Sequence, residues 1–262
     1  RKGKESSTLY TKACARQSRY SYDGAVGEAL SARSILKFIL GDIVELTVLA
    51  LAELAGVAIT DNNKDISITG RDGTHIPVHP DGLYQQGQDF YNVEIKSCDS
   101  RTFDKCVDQG GPDDTWGYLT QASVQCVAWQ EVHVPVMATN FIAVSTGSRQ
   151  GSIADWCVPY EESLVEAWHA RRALVLAEAM PEMFYHAEPE IEFKRGAKLN
   201  PEDMLHGDPR PRINSVGKTY GYDVPTGRSV VPTACTYCAY RALDYPTATM
   251  EVNGGRPTWI VP

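Results

Sequence analysis

The sequence has no long uncharged apolar run. Its longest, Ile43 to Ala55, contains Glu45 and Glu53 and is too short to cross a bilayer, so a membrane partner is not expected. The first residues, Arg1-Lys2-Gly3-Lys4-Glu5, lack the apolar core of a signal peptide. Seven cysteines (14, 98, 106, 126, 157, 235, 238) fall at irregular spacings, which argues against a secreted disulfide framework. The six histidines show no HxxH or HxH zinc spacing, and there is no internal repeat or low-complexity tract. These absences lead to an expectation of a soluble protein in a reducing cytoplasm.

Positive charge is also scarce. Against 33 Asp+Glu stand 25 Lys+Arg, a net charge of −8, which at first argues against nucleic acid as a partner. The distribution along the chain changes that reading. Residues 1–22 carry +5, residues 194–262 carry +3, and residues 23–193 carry −16. Basic ends can touch phosphates and an acidic centre can collect divalent cations, although ordinary solvated surface explains charge alone equally well.

What is present is enough to build a core: 262 residues, 43% of them hydrophobic, exclude wholesale disorder. From Gly24 to Ala55 an Ala/Leu/Ile-rich, proline-free stretch predicts one or two helices ending at Gly56. Short β-like runs follow at Val57–Thr60, Ile66–Thr69, His75–Val78, Leu83–Tyr84 and Tyr91–Ser97, separated by turn residues. Residues 98–115 read as a polar, mobile loop. Helices are expected at Trp116–Glu131 and Glu161–Met180, with one or two strands at Val132–Ser145. Residues 181–262 hold ten of the 15 prolines and read as an irregular C-terminal arm. The order fits an α/β or α+β fold, with a core over about residues 24–180 of a single domain spanning 1–262.

The stretch richest in chemistry is His79-Pro80-Asp81-Gly82 followed by Val93-Glu94-Ile95-Lys96. In a strand, Val93 and Ile95 point to one side, while Glu94 and Lys96 share the other, roughly 7 Å apart. Taken alone, such a Glu-x-Lys is an ion pair. Asp81 alters the reading, because a hairpin can bring it beside Glu94. Two carboxylates and a main-chain carbonyl make an oxygen-rich site for Mg²⁺ or Mn²⁺. Lys96 can then orient an attacking water or stabilise charge on a phosphate.

Pro80-Asp81…Glu94-Ile95-Lys96 resembles the signature of the PD-(D/E)XK nucleases. Upstream, Gly41-Asp42-Ile43-Val44-Glu45 is similar to the Gly-x-x-x-Glu helix of the RecB-like and lambda-exonuclease-like members. Downstream, Tyr118-Leu-Thr-Gln121-Ala-Ser-Val-Gln125 resembles their Gln-x-x-x-Tyr helix, with Gln125 where the family has Tyr. The resemblance implies a restriction-endonuclease-like core, a central mixed sheet flanked by helices. It implies Asp81, Glu94, Glu45 and the Ile95 carbonyl as metal ligands, Lys96 positioning the water, and Gln121 in support.

Cys235-x-x-Cys238 alone reads as a redox pair, a zinc site or two buried small hydrophobes, and the redox reading wants a βαβ context that is absent here. Its setting resembles the C-terminal Cys-x-x-Cys-x5-Cys of iron–sulfur nucleases, among them phage exonucleases and CRISPR-associated nucleases. Those take a further ligand from an N-terminal cysteine, here Cys14; the last family cysteine is replaced by Asp244. The resemblance thus implies a [4Fe–4S] cluster on Cys14, Cys235, Cys238 and Asp244 that joins the two terminal arms, 1–22 and 181–262. A three-iron cluster, a zinc site or no metal at all are the alternatives. Cys126 reads as packing and His79 as structural. Lys12, Arg16, Arg19, the Lys194-Arg195/Lys198 group and, by the aromatic stacking option, Tyr118 are candidates for DNA contact.

The expected function is a metal-dependent deoxyribonuclease, a phage-type exonuclease leaving 5′-phosphates on single-stranded DNA or duplex ends. Its setting would be host-DNA degradation or recombination in the host cytoplasm, with a recombination protein as a further partner. The alternatives are a catalytically silent DNA-binding or recombination partner and a CRISPR-type processing nuclease.

Overall fold

The computed structural model of the protein describes residues 5–12, 14–29, 31–62, 64–147, 152–183, 187–196, 199–214, 217–232, 235, 238–253 and 256–261. The chain divides into two compact units, one of residues 1–25 and 30–182, the other of 26–29 and 183–262. Among the described residues no helix is long and apolar enough to cross a membrane. Helices and several sheets are mixed, an α+β arrangement.

In the first unit, α1 (Ala15–Tyr22) follows a short 3-10 turn at Ser7–Tyr10. The long α2 (Ala32–Leu54) begins where the Ser31 hydroxyl accepts the Ser34 N–H at 3.1 Å and stops before Gly56, whose φ of +76° suits glycine. Strands β1 (Ile59–Thr60), β4 (Gly82–Gln86), β5 (Asp89–Cys98), β6 (Val136–Ser145) and β7 (Ile153–Pro159) form a five-stranded sheet in the order β1-β4-β5-β6-β7. A separate hairpin joins β2 (Ile66–Thr69) to β3 (His75–Val78). Among the described residues only β5 and β6 run parallel, and their crossover carries α3 (Ser100–Gln109) and α4 (Tyr118–Glu131).

The sheet separates two cores. Val93, Ile95, Ile142 and Val144 pack under Val48 of α2 on one face. On the other, α4 is buried on several sides, with Val124, Cys126 and Trp129 meeting Ile68, Ile76 and Val78 of the hairpin and Trp168 of α5 (Glu162–Leu176). The N-terminal segment is stitched to α5: Trp168 Nε1 donates to the Ser7 carbonyl at 2.9 Å, and Arg172 reaches both Glu5 (2.7 Å) and Asp72 (3.0 Å).

The second unit carries β8 (Glu188–Arg195), β9 (Arg210–Ile213), β10 (Thr219–Val230), α6 (Arg241–Asp244), β11 (Thr249–Asn253) and β12 (Arg256–Val261). The strands form an antiparallel sheet in the order β11-β12-β10-β8, with β9 also on β10. A small core of Val231, Cys235 and Tyr245 lies beside it. Residues 26–29 join here: Glu28 donates its N–H to the Ala239 carbonyl at 2.6 Å and pairs its carboxylate with Arg241, whose guanidinium lies 3.4 Å from the Trp259 ring centre.

Two expectations are corrected. Residues 98–115 are not one loop: α3 is capped where the Asp99 carboxylate accepts the Thr102 N–H at 2.8 Å, and it buries only Phe103 and Cys106. So few apolar positions left its period unreadable. Residues 181–262 are not an irregular arm but a sheet. β9 is exposed along its whole length and β8 buries little, so the alternation that marks a half-buried strand is missing. Prolines 189, 211 and 225 stand within these strands. The sequence expectation also had no counterpart for β7.

Candidate active site

The β4–β5 hairpin sets the first contact. Gly82 pairs with Val93, which places Asp81 one position further along, across from Glu94. Asp81 accepts the Ile95 N–H on Oδ2 at 2.6 Å; its Oδ1 carries no hydrogen bond among the described residues. Glycine is required at 82, since a Cβ there would stand 2.4 Å from Ile59 Cγ2 and 2.9 Å from Asn62 Oδ1.

Alternation along β5 then sends Asn92, Glu94 and Lys96 to the α4 side. Glu94 is fully buried, and both carboxylate oxygens are occupied. Oε1 accepts from Gln121 Nε2 at 2.9 Å and pairs with the Lys96 ammonium; Oε2 accepts from Gln125 Nε2 at 2.7 Å. Behind this lies a second tier. Asn92 Nδ2 donates to Gln125 Oε1 at 2.7 Å and to Thr139 Oγ1 at 3.1 Å, while Trp129 Nε1 donates to Asn92 Oδ1 at 3.1 Å. Asn92, Thr139 and Trp129 are wholly buried. The side chains of this network are paired with one another, the condition under which a buried network is rigid rather than costly.

The electrostatics follow from the burial. Desolvation, and then the charge of Glu94, push the Asp81 carboxyl up from 3.8 to about 8, with Glu45 adding to the rise while Lys96 and the Ile95 N–H oppose it. Burial alone would lower the Lys96 ammonium, but Glu94 and Asp81 hold it above its ordinary value, so it stays protonated across the working range. Desolvation lifts the Tyr118 hydroxyl to about 12.

Asp81, Glu94, Lys96 and Gln121 are therefore brought together, and Glu45, half-buried on α2, is close enough for its charge to act on Asp81. Ile95 contributes its N–H to Asp81, and its carbonyl lies on the same strand. Tyr118 packs its ring 5.6 Å from Phe141. The helical period places Tyr118, Gln121, Gln125 and Trp129 on one stripe without giving Gln125 or Trp129 a task, and Asn92 and Thr139 are not among the residues read from the sequence. The available signal was spacing: Asn92 shares the face of Glu94 two residues earlier, and Gln125 follows Gln121 by one helical turn.

The other candidates lie elsewhere. Arg16 binds the Tyr20 hydroxyl at 3.2 Å and the Pro181 carbonyl at 3.4 Å, and Arg19 binds Asp23 at 2.6 Å and the Val175 carbonyl at 3.0 Å. Lys12 is exposed. Lys194 pairs with Asp203, and Lys198 lies outside the described residues. His79 pairs with Asp65 at 3.1 Å, away from Asp81's contacts. Cys14 belongs to the first unit; Cys235, Cys238 and Asp244 belong to the second. Within the second unit Cys238 N–H donates to the Cys235 carbonyl at 3.0 Å. Among the described residues, no three His, Cys, Asp or Glu side chains stand ready-grouped around an ion position.

No family model and no curated protein matches this chain. Among solved structures it is similar to one titled "Crystal structure of SSO0001", at 15% identity and a TM-score of 0.42, covering 66% of this chain and 77% of that one.

Proposed function

We propose that the protein is a metal-dependent deoxyribonuclease with a PD-(D/E)XK core. The observation that carries this is the convergence of Asp81, Glu94 and Lys96 at one end of the β4–β5 pair, with Gln121 on Glu94 and the Glu45 charge beside Asp81. A silent DNA-binding partner would have no use for three acids and a lysine packed so closely, since like charges in low dielectric oppose folding.

The donor set suits Mg²⁺ or Mn²⁺. Burial and Glu94 leave Asp81 short of positive charge, and its Oδ1 is open to a hard cation. Asp81, Glu94, Glu45 and the Ile95 carbonyl would hold the ion; Mg²⁺ keeps several waters and phosphate oxygens in its shell, so it needs no complete protein cage. When bound, it would neutralise the phosphate and make water more acidic. The chain's own residues do the rest. Lys96, permanently charged, donates to the attacking water and to the phosphate oxygen on which charge develops, and it cannot serve as the base. Gln121 and Gln125 hold the Glu94 plane so that the carboxylate and the ammonium keep one mutual geometry. The products would be 5′-phosphate ends, and a phage-type exonuclease acting in DNA breakdown or recombination is the setting we favour.

End-labelled DNA incubated with Mn²⁺ or Mg²⁺ tests this. Lys96→Ala is expected to lower the cleavage rate by about 10²–10³-fold; equal degradation by both proteins would falsify the mechanism.

A further inference from the structure

A helix of a globular unit buries one stripe and wets the other. α2 breaks this rule. Its inward stripe is narrow, with Val48 buried and Val44 and Leu49 half-covered against the sheet. Yet nine of its large apolar side chains are between 40% and 85% exposed. At roughly 100 Å² apiece they leave on the order of 900 Å² of apolar surface open. This exceeds the ~300–600 Å² of the largest patch on a typical monomer and matches the ~800 Å² that each partner gives to a standard interface.

The pattern on that face is specific. Leu36, Leu40, Ile43, Thr47, Ala50 and Leu54 follow one another at spacings of four, three, four, three and four, the a/d seam of a coiled coil. All six are exposed, and on a helix they lie about 80–160° round from Val48, away from the inward stripe. The seam is also complementary to itself when reversed. An antiparallel copy laid along it sets Leu36 against Leu54, Leu40 against Ala50 and Ile43 against Thr47. The inner layers thus meet large against small, as close interdigitation requires. Leu46, 67% exposed, flanks the centre and would meet its own equivalent.

We propose that α2 is a homodimer interface, in which two copies of this chain pack their α2 helices antiparallel about a two-fold axis near residue 45. The face commits to a second copy because its self-complementarity requires only this chain, and an isologous contact closes after two subunits. The proposal is independent of the nuclease reading, since mass, not cleavage, is measured.

Sedimentation of the intact protein at micromolar concentration is expected to give twice the monomer mass. Ile43→Glu alone and Thr47→Arg alone each bury a charge in two layers and are expected to sediment as monomers. Because 43 faces 47 of the other copy, an equimolar mixture of the two variants pairs Glu with Arg in one layer and keeps Ile with Thr in the other, so dimers are expected to return. A monomeric wild type overturns the interface, whether or not it floats with lipid vesicles. Dimers in both single variants overturn the seam, and a mixture that stays monomeric overturns the antiparallel register. Circular dichroism of each variant separates loss of pairing from loss of folding.

Discussion

Glu94 has no freedom to turn. Two glutamines hold its separate oxygens and a lysine shares one of them, all inside a layer closed by Asn92, Thr139 and Trp129. Removing Gln125 leaves Oε2 without a partner and leaves Asn92 Nδ2 with Thr139 alone. Gln125→Leu is accordingly expected to cost about 1–3 kcal/mol in chemical denaturation and to raise the Mg²⁺ concentration for half-maximal cleavage. Asp81 makes the site sensitive to pH. Its folded carboxyl titrates near 8 against 3.8 unperturbed, so the metal-free protein is favoured by the protonated form. That contribution is complete below about 4 and is lost as pH rises through about 8. The melting temperature of the metal-free wild type should fall over this window, while Asp81→Asn removes the slope. Added Mg²⁺ should stabilise the wild type more at pH 8 than at pH 6. An identical pH profile for the two proteins would exclude this account. Asp81, Glu94 and Lys96 were legible as a cluster from spacing and alternation alone. The tier behind them was not, because nothing in a sequence marks an Asn, a Thr and a Trp as mutual partners.

At the level of elements, the site depends on how closely β1 lies against β4. Gly82→Ala forces its new methyl into Ile59 and against the Thr60 carbonyl, 3.3 Å away, so β1 must shift or the hairpin must slide. We expect a loss of about 1–3 kcal/mol. Cleavage should fall further than stability explains, because Asp81 is the adjacent residue; full cleavage by a destabilised Gly82→Ala would show that the hairpin does not place it. The same scale explains which elements could be foreseen. β2, β3 and β5 alternate, and α2 runs without proline, so each announces its period. α3 hides behind a polar surface with two buried side chains, and β8 and β9 carry too little burial to impose any pattern. Sheet edges that bury nothing leave no trace for a sequence reader.

Across the whole molecule, the −16 centre holds the acids proposed as metal ligands, and divalent cations would offset part of that charge. The iron–sulfur reading is also tested at this scale. Anaerobic purification is expected to give a brown protein with broad visible absorbance, lost in Cys235→Ser/Cys238→Ser; a colourless, iron-free, folded wild type would rule it out.

The assignment of residues 26–29 to the C-terminal unit has a consequence for synthesis. Glu28 must wait for Ala239 and Arg241, more than 200 residues later. At about 5–20 residues per second this is roughly 10–40 s on the ribosome. By then every residue of the site, from Glu45 to Gln121, and all of the chain to 182 have emerged. During that interval Val26–Ala29 is a primer without its sheet, and the second unit closes only after α6 has been made. Birth order is thereby written into the fold, with the residues of the proposed site emerging first and the partners of Val26–Ala29 later.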